Sequence, residues 1–341
     1  MHTKLAVLTA ALSAGALTLL AGCSGGAQSP TSTLPTSSLT QAQTGTSRAS
    51  VLASGALKLF VRTAGVERPG GAPKPDAYCA SRCPYIFVSD AGSTVQVLKT
   101  KTYKNIGSIT SGVSGSDGLW ADKAGNVYVA NFLGDNVTEY PSGSGSPSCT
   151  YSTGLVDPIN VTADDAGNVY VVDFNNFNNP GYIYKYAQCS NTLAKKYAVN
   201  KGPEGIAVDK HGDIFVSYHG ANSNGAFEEF KRGHANATPL GATVSSPGGL
   251  VIDVNGNLIA DDQAGFIDVI APPYSSASPL VSGLSDPFHD SLNKKENLLF
   301  NANSGSATVT VYSYPSGKLV TTLGSSNGIT AAEGVTYDAS F

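Results

Sequence analysis

Gly118-Leu-Trp-Ala-Asp122-Lys-Ala-Gly125-Asn126-Val-Tyr-Val129 is one of several near-copies of a single phrase in this chain of 341 residues. Each copy is anchored by an acidic or amide residue, at Asp122, Asp164, Asp209, Asp253, Asn293 and Asp338. The intervals between these anchors are 42, 45, 44, 40 and 45 residues. Strand-forming residues repeated at this period predict a β-propeller rather than a helical solenoid.

Each copy of the phrase predicts a β-hairpin. The runs on either side of the anchor are rich in aliphatic, aromatic and β-branched residues, which suit buried strands. Between them, Asp122 and Gly125 stand at the first and fourth positions of a four-residue turn, where a type I turn favours these two residues. The repeated aspartates are therefore predicted to hold turns and not to carry catalysis.

The two ends of the chain predict how the ring closes. Tyr85–Asp90 resembles a second strand and Thr94–Leu98 a third, but no first-strand phrase precedes them. Gly334–Asp338, in contrast, is a first strand with no second strand after it. Pairing these fragments completes one blade and removes open sheet edges. The sequence thus predicts an all-β, six-bladed β-propeller with four-stranded antiparallel blades, closed by the C-terminal strand joining the N-terminal blade.

Pro203-Glu-Gly-Ile-Ala-Val-Asp209 resembles the phrase of the NHL-repeat family, Pro-x-Gly-Ile-Ala-Val-Asp followed by Gly-Asn-x-Tyr-Val, almost letter for letter. The resemblance covers about residues 80 to 341 and implies a propeller fold. It implies no particular activity, because this architecture hosts binding proteins and enzymes alike.

Residues 1–22 have the pattern of a bacterial export signal, with a cationic start at Lys4 and an apolar run from Leu5 to Leu20. Leu20-Ala-Gly-Cys23 resembles the lipobox of bacterial lipoproteins, which implies cleavage before Cys23 and a lipid on its thiol. The other interpretation is an ordinary secretory signal with a chance cysteine. We expect an exported protein that is lipid-anchored to the cell envelope, at the outer membrane if the host has one.

The rest of the chain divides into a linker and a globular part. Residues 23–56 are rich in Ser, Thr, Gly, Ala and Gln and predict a flexible tether. Residues 57–341 are assigned to the propeller, with regular blades from about residue 80, and Leu57–Val61 could be an added strand or a docking segment. The formal net charge is −4 and no run of Lys or Arg is present, which argues against nucleic acid as a partner.

Four cysteines remain after Cys23, and an even number in an exported chain suggests disulfides. Cys79 and Cys83 are close enough in sequence for a local bridge. Cys149 and Cys189 fall in the outer parts of consecutive blades and could join them. A metal site is the other interpretation, but no Cys/His pair has the spacing of zinc ligands.

The axis of a propeller, where its innermost strands begin, is the expected ligand site. The residues at these positions are Asp117, Asn160, Glu204, Gly248, His289 and Glu333. Converging oxygens suit a hard cation such as Ca²⁺ or another divalent ion. The arrangement is similar to the gluconolactonase and regucalcin-like propellers, which hold one central metal with Glu, Asn and Asp. In that family the first inner strand opens with Glu-Gly-Pro. This chain has Glu333-Gly334 followed by Val335 in place of proline, so Glu333 is the one metal ligand that the motif implies here. The other interpretation is that an acidic residue before glycine belongs to the ordinary repeat sequence and holds no metal.

His289 is the one histidine placed near the axis, because His211 falls in a turn and His219 and His234 fall in loops. With Glu333 it could form an acid–base pair, similar to that of propeller lyases related to streptogramin-inactivating enzymes. The other interpretation is a hydrogen-bonded structural residue. The sequence contains no Walker loop, nucleophile elbow or zinc-protease motif, and no catalytic residue is assigned.

These observations favour a binding or interaction module at the bacterial cell envelope over an enzyme. The expected partner is a protein or a small-molecule or carbohydrate ligand. The alternative is a metal-dependent, lactonase-like hydrolase with a divalent ion at the propeller axis.

Overall fold

A computed structural model describes residues 84–91, 93–175, 180–220 and 224–338, together with the backbone of 49–54 and 56–61. The predicted export signal, Cys23, most of the predicted tether, Cys79 and Cys83 lie outside the described residues. In chain order the strands are β1 (Ala49–Ser54), β2 (Ala56–Val61), β3 (Tyr85–Asp90), β4 (Thr94–Lys99), β5 (Asn105–Ile109), β6 (Ser116–Ala121), β7 (Val127–Asn131), β8 (Asn136–Tyr140), β9 (Cys149–Tyr151), β10 (Pro158–Ala163), β11 (Val169–Asp173), β12 (Pro180–Tyr186), β13 (Leu193–Lys201), β14 (Pro203–Val208), β15 (Ile214–His219), β16 (Gly225–Phe230), β17 (Thr238–Val244), β18 (Pro247–Ile252), β19 (Leu258–Asp262), β20 (Phe266–Ile270), β21 (Ser278–Ser282), β22 (Pro287–Leu292), β23 (Leu298–Asn303), β24 (Thr308–Ser313), β25 (Lys318–Leu323) and β26 (Ala332–Tyr337). Among the described residues, helix is limited to two three-residue 3-10 turns, Ser304–Ser306 and Ser325–Asn327.

Six four-stranded antiparallel sheets form the blades of the propeller. Blade 1 combines β26 with β3, β4 and β5, and blades 2 to 6 follow in chain order as β6–β9, β10–β13, β14–β17, β18–β21 and β22–β25. The first strand of each blade contacts the first strand of the next blade all the way round, so these six inner strands surround the axis. The predicted all-β, six-bladed propeller is confirmed.

The ring closes where β26 meets β3, as the sequence predicted. Strand β26 pairs antiparallel with β3, which places Val335 opposite Val88. The main-chain N–H and the hydroxyl of Thr330 both donate to Asp90 Oδ2, over 2.9 and 2.8 Å. Because β26 is the inner strand of blade 1, the first blade is complete only when the last strand is in place.

The turn anchors hold their hairpins as the repeat predicted. Asp122 Oδ1 accepts the main-chain N–H groups of Ala124 and Asn126 over 2.8 and 2.9 Å. Gly125 has a φ of +83°, a conformation that glycine adopts without strain. The other anchors that accept main-chain N–H groups through a side-chain oxygen are Asp164, Asp209, Asp253 and Asn293. These residues are structural, since their oxygens are engaged within the turn.

Apolar side chains fill the spaces between neighbouring blades. Phe215 and Phe227 of blade 4 meet Leu250 and Leu258 of blade 5 in one buried cluster. Each fully buried side chain of this size contributes about 1.5–3 kcal/mol to stability. The blades are therefore packed against one another by their faces, and the polar positions described below are departures from that pattern.

Outside the blades, β1 and β2 pair with each other as a two-stranded sheet, with Leu57 opposite Ala53. Leu57–Val61 is therefore a strand, one of the two predicted alternatives, but it joins no blade. Strand β1 lies within the segment predicted as a flexible tether, because Ser50-Val-Leu-Ala53 is a strand-forming run. None of the helices in the described part of the chain is long and apolar enough to span a membrane.

Candidate functional site

The inner strands approach one another most closely four residues before each turn anchor. Glycine occupies this place in four blades, as Gly118, Gly205, Gly249 and Gly334. A Cβ at Gly205 would lie 2.6 Å from the main-chain oxygen of Gly248 in the next blade, and one at Gly249 would lie 2.8 Å from the Cα of His289. Only glycine fits such an approach without displacing the neighbouring strand. The two blades that carry a side chain here have Asn160 and His289.

Asn160 and His289 contact each other across the axis. They belong to blades 3 and 6, which are opposite in the ring, yet His289 Nε2 lies 3.2 Å from Asn160 Oδ1. Both side chains are buried. His289 Nδ1 lies 3.1 Å from the main-chain oxygen of Val335 in blade 1, and the N–H of Val161 donates to Asn160 Oδ1 over 2.8 Å. The axis is therefore closed at this level by two side chains that fix each other.

The protonation state of His289 determines how many of these contacts are hydrogen bonds. The main-chain oxygen of Val335 and the amide oxygen of Asn160 can only accept, so a neutral imidazole donates to one of them and an imidazolium donates to both. Burial lowers the pKa of His289 to about 4, so the ring is neutral near pH 7. A buried, neutral and hydrogen-bonded ring is typical of a structural histidine, which is one of the two interpretations of His289 given in the sequence analysis.

The predicted axial acids are all buried. Glu204 Oε1 lies 3.1 Å from Nε2 of His219 in the second strand of the same blade. The prediction that His219 falls in a loop is wrong, because β15 stays paired with β16 through this residue. The Ser89 hydroxyl donates to the main-chain oxygen of Asp117, and Glu333 is buried at the start of β26. The structure thus joins Asn160 to His289 and Glu204 to His219 as separate pairs.

The donors around the axis fit poorly with the single ion that the gluconolactonase resemblance implies. Ca²⁺ takes six to eight oxygen ligands. The Asn160 oxygen already accepts an N–H and faces His289, and the Glu204 carboxylate pairs with His219. Gly248 has no side chain, and its main-chain oxygen accepts the Ser217 hydroxyl over 2.7 Å. These groups are committed to neighbours within the fold.

Blade 6 departs from the repeat at a core position that the sequence analysis did not single out. Three residues before the anchor, the other five blades have an aliphatic residue: Leu119, Val161, Ile206, Leu250 and Val335. Their partners on the second strand are also aliphatic: Val129, Val171, Val216, Ala260 and Val88. In blade 6 the same pair is Asp290 and Asn301. Aligning the weak copy with the strong ones would have revealed this exchange.

Asp261 of blade 5 completes a buried polar trio with Asp290 and Asn301. Asn301 Nδ2 donates to Asp261 Oδ1 over 2.7 Å and to Asp290 Oδ1 over 3.1 Å. Burial, followed by the neighbouring Asp290 carboxyl, raises the pKa of Asp261 well above its ordinary value of 3.8. Burial also raises the pKa of Asp290 to about 7. Two buried carboxyl groups in contact disfavour the state in which both are ionised, so the trio between blades 5 and 6 favours one proton shared by Asp261 and Asp290 near pH 7.

Cys149 and Cys189 form a disulfide between blades 2 and 3, with their Cα atoms 5.2 Å apart. Cys149 lies in β9, and Cys189 lies in the turn between β12 and β13. Glu139 is close to both sulfurs, and these three side chains are the one group of metal-ligand type found among the described residues. Its carboxylate accepts the Tyr151 hydroxyl over 2.6 Å. With the two sulfurs bonded to each other, this group is a covalent link between blades.

A surface groove with a volume of 420 Å³ lies between blades 4 and 5, and we call it the blade 4–5 groove. Its lining includes Thr243, Ser245, Asp262, Phe266 and Asp268. No Lys, Arg or His is among the described residues that line it. Its volume is within the range of small-molecule sites, about 300–1,000 Å³. The sequence did not predict this groove, because its walls come from outer strands of two different repeats.

Comparison with known proteins identifies the fold but no family. No protein-family model matches the chain, and no curated protein matches it. Among solved structures, a chain of the nidogen/laminin complex is similar with a TM-score of 0.61 and 16% identity, over 75% of this chain and 99% of that chain. A functionally unknown protein from Desulfotomaculum acetoxidans has a TM-score of 0.54 and 16% identity, with the same two coverages. Hydrazine synthase from Kuenenia stuttgartiensis has a TM-score of 0.57 and 12% identity, over 82% of this chain and 94% of that chain. At these identities the likeness concerns the fold alone.

Proposed function

We propose that this protein is a non-catalytic binding module of the cell envelope, held outside the cytoplasm by a lipid on Cys23. An NHL-type propeller is its recognition domain, and a protein or a small-molecule or carbohydrate ligand is its partner. The propeller fold itself is consistent with a binding or interaction module. The lipobox-like phrase and the Ser/Thr-rich segment after it support the anchor, because together they would hold a folded domain away from a membrane surface.

The Asn160–His289 contact is the observation that carries the non-catalytic part of the proposal. Metal-dependent propeller hydrolases of the gluconolactonase type use the axis for their ion. Here the axial side chains contact each other and the main chain instead. A partner is then recognised on the outer surfaces of the propeller, where the blade 4–5 groove lies.

The anchor is tested by the Cys23→Ser variant. We expect the wild-type protein to take up a fatty-acid analogue during metabolic labelling and to fractionate with membranes. The variant should lose both properties, because serine offers no thiol for the lipid. Ser24→Ala is the matched control, since it leaves the thiol intact and should keep the label. An unlabelled wild-type protein would show that residues 1–22 are an ordinary secretory signal.

The lactonase-like alternative is tested by calorimetry with Ca²⁺, Mn²⁺ and Zn²⁺. We expect no site of micromolar affinity or tighter, because the axial oxygens are already engaged within the fold. The Glu333→Gln variant is the control, because Glu333 is the one metal ligand that the resemblance to gluconolactonases implies. A tight site in the wild type that is lost in this variant would overturn the non-catalytic proposal and justify a screen of lactones.

A further inference from the structure

Asp268 is a carboxyl group without a partner inside the blade 4–5 groove. It lies in β20, and the residue is only 5% exposed. Its carboxyl group forms no hydrogen bond with another described residue, although it lines the groove. Burial, and then the neighbouring Asp262 carboxylate, raise the pKa of Asp268 to about 6. A carboxyl group that faces a groove and receives no donor from the fold is available to a donor on a ligand.

The other five blades show what this position normally does. The equivalent residues in the third strand are Gln96, Thr138, Tyr184, Glu228 and Thr310. Four of them accept an asparagine Nδ2 group over 2.9–3.0 Å, from Asn105, Asn131, Asn200 and Asn303. The fifth, Tyr184, has the Lys196 ammonium group 4.9 Å from its ring centroid. This place therefore receives a donor or a cation in every blade but blade 5, and in blade 4 the donor, Asn200, comes from the neighbouring blade 3.

Blade 5 lacks the donor because Asp262 stands where blades 2 and 6 have asparagine. Asn131 and Asn303 end the second strand of their blades, and each donates to a threonine. Asp262 ends β19 at the equivalent register and has no N–H group to offer. Its oxygens accept three main-chain N–H groups over 2.8–3.0 Å, two of them from the loop before β18. The groove is thus left with two acidic groups and no cation.

We propose that the blade 4–5 groove binds the primary ammonium group of a small ligand, with Asp268 as its carboxylate partner. An ammonium group has three N–H donors, and the groove offers the Asp268 carboxylate and the hydroxyl oxygens of Thr243 and Ser245. The Phe266 ring provides an apolar surface for the carbons next to the nitrogen. A hard metal ion fits less well, because it needs six or more oxygens and those of Asp262 are engaged by the main chain.

Two kinds of molecule present this chemistry, a lysine side chain and an amino sugar. The test is calorimetry on the full chain at pH 7.5 with four probes. A lysine-containing tripeptide with an acetylated N-terminus is compared with the same peptide acetylated on its lysine as well, and a glucosamine trisaccharide with its N-acetylated form. We expect at least one free amine to bind and its acetylated counterpart to bind at least about tenfold more weakly, since acetylation removes the charge. Binding of the free peptide identifies a lysine side chain as the source of the amine, and binding of the free trisaccharide identifies an amino sugar.

Variants place the binding in the groove. Asp268→Asn keeps the shape of the side chain but removes its charge. It should weaken the binding of whichever amine probe binds the wild type at least about tenfold. The pair Asp262→Asn with Asp268→Thr restores the arrangement of blades 2 and 6 and should also lose binding. Glu228→Gln is the matched control, because it removes the carboxylate at the equivalent position of blade 4 and should bind like the wild type.

The proposal is overturned if neither amine binds, if acetylated probes bind as well as free ones, or if Asp268→Asn binds like the wild type. The comparison of probes needs no variant, so it remains decisive even if a substitution impairs folding. The inference rests on the proposed function only in treating the propeller as a binding module. A missing lipid label at Cys23 would leave it standing, and a failed amine titration would leave the anchor standing.

Discussion

Removal of residues 330–341 is expected to leave a chain that does not fold cooperatively. The deletion takes away β26, which is the inner strand of blade 1, and the Thr330 bonds to Asp90. It exposes the inner edge of β3 and uncovers buried residues such as Val88 and Phe300. The lost burial and pairing are worth about 5 kcal/mol or more, comparable with the whole stability of a typical domain. Circular dichroism melts and size-exclusion chromatography would show a broad or absent transition and aggregation.

The control for this deletion is removal of residues 339–341 alone, which leaves all of β26 and its register intact. That shorter deletion should melt like the full chain. If the protein lacking residues 330–341 melts at the same temperature as the full chain, β26 does not close the ring.

Replacing the polar trio with the residues of the other blades is expected to stabilise the protein and to remove part of its pH dependence. The variant combines Asp261→Ala, Asp290→Leu and Asn301→Val, following Ala130, Leu119 and Val129 of blade 2. Exchange of a buried polar network for apolar side chains of similar volume often raises stability by about 1–4 kcal/mol. Urea unfolding at pH 5 and pH 8 measures both effects.

The sign of the pH dependence follows from the raised pKa of Asp290. Between its ordinary value of 3.8 and about 7, the folded protein keeps a proton that the unfolded chain has released. The contribution of this carboxyl group to stability is therefore complete at low pH and is lost as the pH rises through about 7. The gain of the triple variant over the wild type should consequently be larger at pH 8 than at pH 5. An equal gain at both values would mean that the two carboxyl groups do not share a proton.

Other groups titrate in the same interval, so the difference between the two proteins is the quantity to compare. Burial raises the pKa values of Asp173, Glu228 and Asp268 to about 6, which also lowers stability as the pH rises. Burial lowers the pKa of His289, which has the opposite effect and destabilises the fold as the pH falls from 6.5 towards 4. These contributions are common to both proteins and cancel in the comparison.

The repeat predicted those parts of the molecule that depend on local chemistry. The turn at Asp122 and Gly125 and the pairing of Gly334–Asp338 with Tyr85–Asp90 both follow from which residues suit a turn or an unpaired edge. The start of each inner strand follows from the repeat as well, but the predicted axial residues mix two registers, since Asn160 and His289 lie four residues before their anchors and the other predicted residues lie five before. His219 was misplaced because the Ser/Asn/Gly-rich run after it resembles a loop, whereas its strand continues through main-chain pairing.

What the sequence could not provide was the partner of each polar side chain. Asn160 and His289 meet across the axis where glycine at the same place in the other four blades lets neighbouring inner strands pack closely. Asp290 was visible as an acid in a weak copy, but its contact with Asp261 depends on how blades 5 and 6 pack. The missing donor at Asp268 becomes evident only when its surroundings are compared with those of the same position in the other blades.

The closing strand β26 is synthesised long after β3, the strand with which it pairs. Asp90 and Thr330 are bonded in the finished ring but are 240 residues apart in the chain. At a translation rate of about 5–20 residues per second, roughly 12–48 seconds pass between the synthesis of the two partners. Throughout that time the inner edge of β3, a run of strand-forming residues that is fully buried in the folded protein, has no strand beside it. The nascent chain is therefore most prone to aggregate just before β26 is synthesised, when five blades can be packed and the inner edge of β3 is still open.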